Sequence, residues 1–296
     1  MIYLSHFGLR EAPFGITPDT SFYYACRGTQ EALNTLLVAI ANGEGFIKVI
    51  GEVGTGKTLL CRKFLAALGD THASAYLPNP DLESRTLLLA LAEELGVHLD
   101  KAMDQHHLLK SLNLALLRFA REKKRVVVCL DEAQAMPIET LETLRLLTNL
   151  ETEKRKLMQV VLFGQPELDA KLAHPSIRQL RQRITFQHRL QTFSKEETEN
   201  YLRHRLSVAG YNGAQVFTQA AIRRIHGASR GVPRLINILA NKTMMLAYGE
   251  GSRQVGWSHA GAAISDTPAS HGWTNFLAWL AVVCMAGFGL GWVLLK

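Results

Sequence analysis

The 296-residue sequence predicts an α/β protein, with a parallel sheet that carries helices on both faces and a smaller helical domain after it. Three observations support this fold class. A glycine-rich loop at residues 51–58 separates an apolar run from a helix-forming segment. A second apolar run, at residues 125–130, ends in two acidic residues. Strand-like and helix-like patterns alternate as far as residue 192, which is typical of a doubly wound sheet, and only helical patterns follow.

The elements of the sheet domain follow from hydrophobic periodicity. An opening segment with Pro13 and Pro18 comes first. Short apolar runs predict strands at residues 46–50, 73–78, 125–130, 159–164 and 185–190. Amphipathic stretches predict helices at residues 29–41, 59–68, 83–95, 106–121, 141–150 and 178–183.

The remaining chain is predicted to be helical, with a linker near its end. Residues 194–197 read Ser-Lys-Glu-Glu, a capping box that opens one helix. Thr218 caps a second helix, and residues 232–248 form a third. Residues 250–275 are rich in Gly, Ala, Ser and Thr, with room for one short helix near residues 258–264. We therefore predict a sheet domain at 1–192, a helical lid at 193–250 and a linker at 251–275.

The glycine-rich loop is predicted to bind phosphate. Its residues are Gly51, Glu52, Val53, Gly54, Thr55, Gly56, Lys57 and Thr58. Glycines let backbone N–H groups converge on an anion, and the N-terminus of the following helix adds its positive dipole end. In such a loop Lys57 reaches the β- and γ-phosphates and the Thr58 hydroxyl is a ligand for Mg²⁺. ATP and Mg²⁺ are therefore the expected cofactors.

The second apolar run extends this prediction from binding to hydrolysis. A continuous apolar run suits a strand that is buried on both faces of a parallel sheet. Ligands bind beyond the carboxyl ends of such strands, which is where Asp131 and Glu132 fall. We predict that Asp131 holds Mg²⁺, directly or through water, and that Glu132 orients and deprotonates the attacking water.

The C-terminal segment is predicted to cross a membrane. Residues 276–295 contain no charge, and twenty helical residues rise roughly 30 Å, the thickness of a bilayer core. Trp273 and Trp292 lie near the two ends, as interfacial aromatic residues do. Because ATP is cytosolic, we expect the ATPase body in the cytoplasm and a single-pass anchor in the bacterial inner membrane.

Composition supports an intracellular globular body. Charged residues make up 20% of the chain and apolar residues 47%. The four cysteines show no zinc spacing and are predicted to be reduced thiols. The net charge is +7, with basic clusters at residues 121–125 and 154–156. Neither cluster stands next to aromatic residues that could stack on bases, so we read them as solvated loops and do not expect a nucleic-acid partner.

An ATPase core followed by a small helical lid resembles the AAA+ superfamily of P-loop NTPases. Several motifs are similar to those of the general secretion pathway protein A family. They are the opening residues 3–14 with Thr17-Pro-Asp19, and the segments at 162–168, 180–184 and 231–237. The resemblance covers residues 1 to about 250 and is strongest to the family's members in mannose-sensitive haemagglutinin (MSHA) pilus biogenesis. Secretion-type members continue past the membrane helix into a peptidoglycan-binding domain, so the resemblance favours the pilus-type members and we do not expect cell-wall binding by the residues of this sequence.

The resemblance implies three further site residues. Gln165, after the fourth predicted strand, matches sensor 1, which contacts the attacking water or the γ-phosphate. Arg183 matches the arginine finger, with Arg181 and Arg178 as alternatives, and Arg234 matches sensor 2 on the lid. A finger acts on a neighbour's nucleotide, so the resemblance implies a homo-oligomer, a ring or another assembly that shares the finger.

Two function classes stay open at this stage. The first is a membrane-anchored AAA+ ATPase that drives assembly of an envelope machine, with inner-membrane proteins of MSHA-type type IV pilus biogenesis or of type II secretion as partners. The second is a DNA-associated AAA+ ATPase that resembles transposition target-selection proteins. The apolar C-terminal segment favours the first class, since a DNA-targeting protein has no need of it.

Overall fold

The computed structural model describes residues 2–149, 151–152 and 155–268. The predicted transmembrane helix at 276–295 lies outside this range. None of the helices described is both long and apolar enough to span a bilayer. The strands are β1 (Phe46–Ile50), β2 (His72–Leu77), β3 (Arg125–Leu130), β4 (Glu151–Thr152), β5 (Arg155–Lys156), β6 (Met158–Gly164) and β7 (Ile184–Arg189). The helices are α1 (Leu4–Phe7), α2 (Arg27–Ala41), α3 (Lys57–Ala67), α4 (Ser84–Glu94), α5 (Gln105–Arg121), α6 (Ile138–Leu147), α7 (Glu167–Leu172), α8 (Arg178–Gln182), α9 (Lys195–Val208), α10 (Gln219–Ser229), α11 (Pro233–Gly249) and α12 (Trp257–Ser265).

Five parallel strands form the central sheet, in the order β2-β3-β6-β1-β7. All seven residues of β6 are buried, and so are the last five of β3, as continuous apolar runs predict for inner strands covered on both faces. The short antiparallel pair β4–β5 was not predicted from the sequence. Each of those strands has only two residues, too few to establish an alternating pattern.

Two apolar clusters cover the two faces of the sheet. Val126, Val128 and Leu130 face a cluster built by α4, α5 and α6. Val127 and Cys129 face the other cluster, built by α2 and α3. Side chains alternate between the faces because the period of a strand is two. The predicted parallel sheet with helices on both faces is therefore confirmed.

Helices α9 to α12 form the larger part of the helical unit. Ser194 caps α9 through the backbone N–H of Glu197, whose carboxylate in turn accepts from the Ser194 N–H, as the predicted capping box requires. The Thr218 side chain caps α10. Pro233 occupies the first turn of α11, where its missing N–H costs no hydrogen bond.

The two compact units of the chain differ from the predicted division at the N-terminus. Residues up to Thr17 group with the described residues from Thr192 onward, and the sheet unit begins at Pro18. Side-chain contacts tie the opening segment to the helical unit: the Tyr3 hydroxyl donates to Oδ1 of Asn241 at 2.5 Å, and Phe14 contacts Phe217 edge to face. The opening segment therefore completes the core of the helical unit.

Part of the predicted linker also belongs to this unit. Val255 is fully buried, and its backbone exchanges hydrogen bonds with Val216 and Thr218. Ala260 and Ala263 bury one face of α12, which extends the short helix predicted near residues 258–264 by one residue at each end. Because the segment is rich in Gly and Ser, its composition predicted a linker and did not indicate these few buried positions.

Candidate nucleotide-binding site

The candidate site lies at the carboxyl ends of three adjacent strands. Gly51 follows β1, Asp131 follows β3 and Gln165 follows β6, which is hydrogen-bonded to both of the other strands. The backbone continues the pairing past the strand ends, since the Gly51 N–H donates to the Gly164 carbonyl at 3.1 Å. The sheet thus brings together residues that are more than 100 positions apart.

Glycine is required at several positions of the loop between β1 and α3. Gly54 and Gly56 have φ angles of 81° and 98°, which L side chains rarely adopt. A Cβ at Gly51 would lie 2.6 Å from Oγ1 of Thr55 and 3.1 Å from Cβ of Leu190. The loop therefore keeps its backbone open to a ligand at the N-terminus of α3, where unpaired N–H groups and the helix dipole favour an anion.

Lys57 is a buried cation in this loop. Its residue is 4% exposed, and its ammonium donates to the Gly51 carbonyl at 2.8 Å and the Glu52 carbonyl at 3.1 Å. Burial lowers the pKa of Lys57, although the negative charges of Glu132 and Asp131 oppose that shift. Because its direct partners are neutral carbonyls, the ammonium can transfer its hydrogen bonds to a phosphate without breaking an ion pair.

Thr58 and Asp131 form an oxygen pair beside Lys57. Oγ1 of Thr58 donates to Oδ2 of Asp131 at 2.5 Å, although the residues are 73 positions apart. Burial raises the pKa of Asp131, while hydrogen bonds from the Thr58 hydroxyl and the Glu132 N–H oppose this. One hydroxyl and one carboxylate in contact are the hard oxygen donors that suit Mg²⁺, which keeps several waters and takes few protein ligands. These residues therefore fit the ion that the sequence implies.

The Glu132 carboxylate is held by two glutamine amides. Oε2 of Glu132 accepts from Nε2 of Gln134 at 2.5 Å and from Nε2 of Gln165 at 2.9 Å. The backbone of Glu132 has a φ angle of 52°, a left-handed conformation that is uncommon outside glycine. Burial alone would raise the pKa of Glu132, but the two amides and the charge on Lys57 outweigh it and hold that pKa below its ordinary value. The carboxylate is therefore ionised and oriented.

Gln134 is a member of the site that the sequence did not reveal. Besides donating to Glu132, its Oε1 accepts from the backbone N–H of Gln165 at 3.0 Å. The available signal was its position two residues after Glu132, at a strand end already predicted to be functional. Gln134 lies in the short 3₁₀ turn Ala133–Ala135, which periodicity does not predict.

The predicted arginine finger is far from the site of its own chain. Arg183 immediately precedes β7, whose first residue, Ile184, pairs with Phe46 at the start of β1. It therefore lies at the amino edge of the sheet, and the five residues of β1 span roughly 16 Å from there to the loop. There it lines a cavity of about 310 Å³ together with Lys156 and Asn149. Arg178 and Arg181 are exposed on α8.

Arg234, the predicted sensor 2, occupies the first turn of α11 in the helical unit and is exposed.

The described histidines, cysteines and acidic residues contain no group of three or more arranged to hold a metal ion. Cys26, Cys61 and Cys129 are free and buried, in line with the prediction of reduced thiols, and Cys284 lies outside the described residues.

The strand order, the glycine loop before α3 and the acidic pair after β3 define a P-loop ATPase of the AAA+ class. Residues 40–172 match the family model of the AAA domain. The chain is 41% identical over 254 residues to general secretion pathway protein A of Aeromonas hydrophila. That alignment covers 86% of this chain and 46% of the relative, so the chain spans about half of that protein's length. The chain belongs to the AAA+ ATPases of the general secretion pathway protein A type.

Solved structures support the fold alone, because their sequence identities are below 20%. The ADP form of the ORC2 protein of Aeropyrum pernix has a TM-score of 0.63 at 18% identity, with 85% of this chain and 73% of that chain covered. Cdc6p from Pyrobaculum aerophilum has a TM-score of 0.62 at 19% identity, with coverages of 80% and 68%. The RuvB Holliday junction branch migration motor of Thermotoga maritima has a TM-score of 0.55 at 17% identity, with coverages of 81% and 69%.

Proposed function

We propose that this chain is a membrane-anchored AAA+ ATPase that hydrolyses ATP, with Mg²⁺, to drive assembly of an envelope machine. MSHA-type type IV pilus biogenesis is the favoured process, and assembly of a type II secretion machine is the related one. The observation that carries the enzymatic part is the ionised Glu132 carboxylate, held by two amides beside the Thr58–Asp131 oxygen pair. The 41% identity to general secretion pathway protein A of Aeromonas hydrophila supports the cellular role.

Each site residue has a distinct role in the proposed reaction. The loop N–H groups and Lys57 bind the phosphates of ATP. Thr58 and Asp131 would hold Mg²⁺, and the bound ion would neutralise charge on the phosphate oxygens. Glu132 accepts a proton from water as the water oxygen bonds to the γ-phosphorus and ADP leaves. Gln165 acts as sensor 1 for the reacting water, a role supported by the hydrogen bond that its side chain donates to Glu132.

Two arginines complete the proposed ATPase site in a homo-oligomer. Arg183 acts as the finger on the nucleotide of a neighbouring copy, with Arg181 and Arg178 as alternative fingers. A positive charge there stabilises the charge that develops on the transferred phosphoryl group. Arg234 acts as sensor 2 from the helical unit.

The anchor is the part of this proposal that fractionation tests directly. We expect the full chain to stay with the bacterial inner membrane through high-salt and alkaline washes, because an apolar helix of about twenty residues buries too much area for either wash to reverse. A chain ending at Gly272 should be soluble and should still hydrolyse ATP, since all the motifs lie upstream. Surface piliation should fall in cells that make only the shortened chain. A full chain that washes off with salt, or normal piliation with the shortened one, would contradict the proposal.

A DNA-associated ATPase is the second candidate. It is favoured by the net charge of +7 and by exposed basic residues before β3, which include Arg121, Lys123 and Lys124. A positive surface of this kind attracts phosphate backbones in a salt-dependent manner. ATP turnover with and without duplex DNA separates the candidates, because a DNA-linked enzyme should be stimulated at low salt and the membrane-anchored one should not.

A further inference from the structure

We propose that Gln134 is a positioning residue for ATP hydrolysis, because its side chain holds the Glu132 carboxylate against Gln165, the residue that follows β6. Gln134 acts only through Glu132 and does not itself contact the nucleotide. The inference rests on the proposed role of Glu132 as the base that takes a proton from the attacking water.

Both ends of the Gln134 amide are used. Its Nε2 donates to Oε2 of Glu132 at 2.5 Å, and its Oε1 accepts from the backbone N–H of Gln165 at 3.0 Å. Reversing the amide would set its oxygen against the carboxylate and its NH₂ against an N–H, so only one orientation satisfies both partners. Gln165 closes the ring by donating its own Nε2 to the same carboxylate oxygen at 2.9 Å.

This arrangement distinguishes the two oxygens of the Glu132 carboxylate. Both amides donate to Oε2, which leaves Oε1 to accept a hydrogen bond from water. A carboxylate held by one amide alone can rotate about its terminal torsion, which is broad and roughly twofold. The second amide removes that freedom, and the cost of ordering is met before ATP binds.

Gln134 is itself held in place by its surroundings. Its backbone carbonyl accepts from the Lys171 ammonium at 2.5 Å, and the same ammonium donates to the Met136 carbonyl. Lys171 lies on α7, the helix that follows Gln165, so the turn after β3 and the helix after β6 are tied together. A Cβ at Gly164 would lie 3.3 Å from Oε1 of Gln134 and 2.6 Å from Cδ2 of Leu168. Glycine at the end of β6 therefore leaves the space that the amide occupies.

Two substitutions separate positioning from packing. Gln134→Leu keeps the size of the side chain but removes both hydrogen bonds. Gln134→Glu keeps the shape and the acceptor for the Gln165 N–H, loses the donor to Glu132 and sets a like charge beside it. Gln30→Leu is the matched control, since Gln30 is an exposed glutamine on α2 whose side chain bonds only Asn34 among the hydrogen bonds of the described residues.

We expect both Gln134 variants to lower kcat by about 10- to 100-fold, the usual effect of losing a group that orients a catalytic one. The Kd for ATP should stay within about twofold of wild type, because the loop and Lys57 are untouched. Gln30→Leu should match wild type in both quantities. A role in packing alone would instead weaken ATP binding together with kcat, so the split between kcat and Kd is the diagnostic.

A double-mutant comparison completes the test. In a Glu132→Gln background, Gln134→Leu should slow hydrolysis no further, because the group on which it acts is already gone. An additional tenfold loss in that background would overturn the inference, as would wild-type turnover by Gln134→Glu. If Glu132→Gln alone hydrolysed ATP normally, the proposed base would be wrong and this inference would fall with it. If Glu132→Gln is slow while both Gln134 variants are normal, only the positioning role is refuted.

Discussion

Replacing Glu132 by glutamine should separate ATP binding from hydrolysis. The substitution preserves the size of the side chain and one oxygen, which can still accept from the amides of Gln134 and Gln165. It removes the proton acceptor. A general base contributes on the order of 10²- to 10⁴-fold to a rate, so kcat should fall by that factor, equivalent to about 2.7–5.4 kcal/mol in the barrier.

Binding should survive the same substitution. The hydrogen bonds of Lys57 go to the carbonyls of Gly51 and Glu52, and neither carbonyl depends on Glu132. The Thr58–Asp131 pair is also retained. The Kd for ATP should therefore change by no more than about threefold, since no phosphate contact is lost.

The assay is steady-state phosphate release at saturating ATP, with Kd measured by calorimetry on the same preparations. Glu31→Gln is the matched control, because Glu31 is an exposed carboxylate on α2 that pairs with Arg27 and lies outside the site. The control should hydrolyse ATP like wild type. A Glu132→Gln enzyme that retains wild-type turnover would refute the base assignment, and a tenfold weaker Kd would refute the separation of binding from chemistry.

Three further predictions follow from the same geometry. Arg183→Ala and Lys57→Ala should each lose turnover, the first with ATP binding intact, and mixing them should partly restore phosphate release; no recovery at any ratio would argue against Arg183 as a shared finger. Since the pKa of Glu132 lies below its ordinary value, its carboxylate stays ionised from about pH 7.5 to 5.5 and its protonation should not lower kcat in that range; a half-maximal point near pH 6.5 that disappears in Glu132→Gln would contradict this. Gly231→Ala should lower the free energy of unfolding by roughly 2–4 kcal/mol, because φ is 74° and a Cβ would lie 2.0 Å from the backbone oxygen of Phe193. Gly227→Ala is the control: no atom lies within 4 Å of its added Cβ, so a melting experiment should show equal or higher stability.

The order of strands and helices could be predicted because each depends on local pattern. The apolar runs of β3 and β6 are nearly continuous, which predicts buried strands. The loop needs glycine where φ is positive, so the spacing of its glycines already indicates its backbone conformation. The positions of Lys57, Thr58 and Asp131 at one edge then follow from parallel topology, since the carboxyl ends of parallel strands share an edge.

Other features depend on contacts that no local pattern encodes. Gln134 reaches Glu132 because the chain turns through a left-handed residue at 132, a conformation that glutamate seldom adopts. Tyr3 and Phe14 could have packed against either unit, and only the tertiary structure shows that they complete the helical one. Val255 and α12 lie in a segment whose average composition is typical of a linker. A few buried apolar residues nevertheless make this segment part of the helical unit.

The position of Arg183 links the site to assembly. A finger must lie within hydrogen-bond reach of the transferred phosphate, yet Arg183 is at the amino edge of the sheet and the loop is at the carboxyl edge, with the roughly 16 Å length of β1 between them. A rotamer change cannot close that distance, because an arginine side chain extends only about half as far. If Arg183 contributes to hydrolysis at all, the phosphate that it contacts must belong to a second copy, seated against the cavity beside Lys156. Turnover per subunit should then rise with protein concentration as the copies associate, whereas turnover that is constant on dilution well below the association range would show that each chain hydrolyses ATP without a finger from its neighbour.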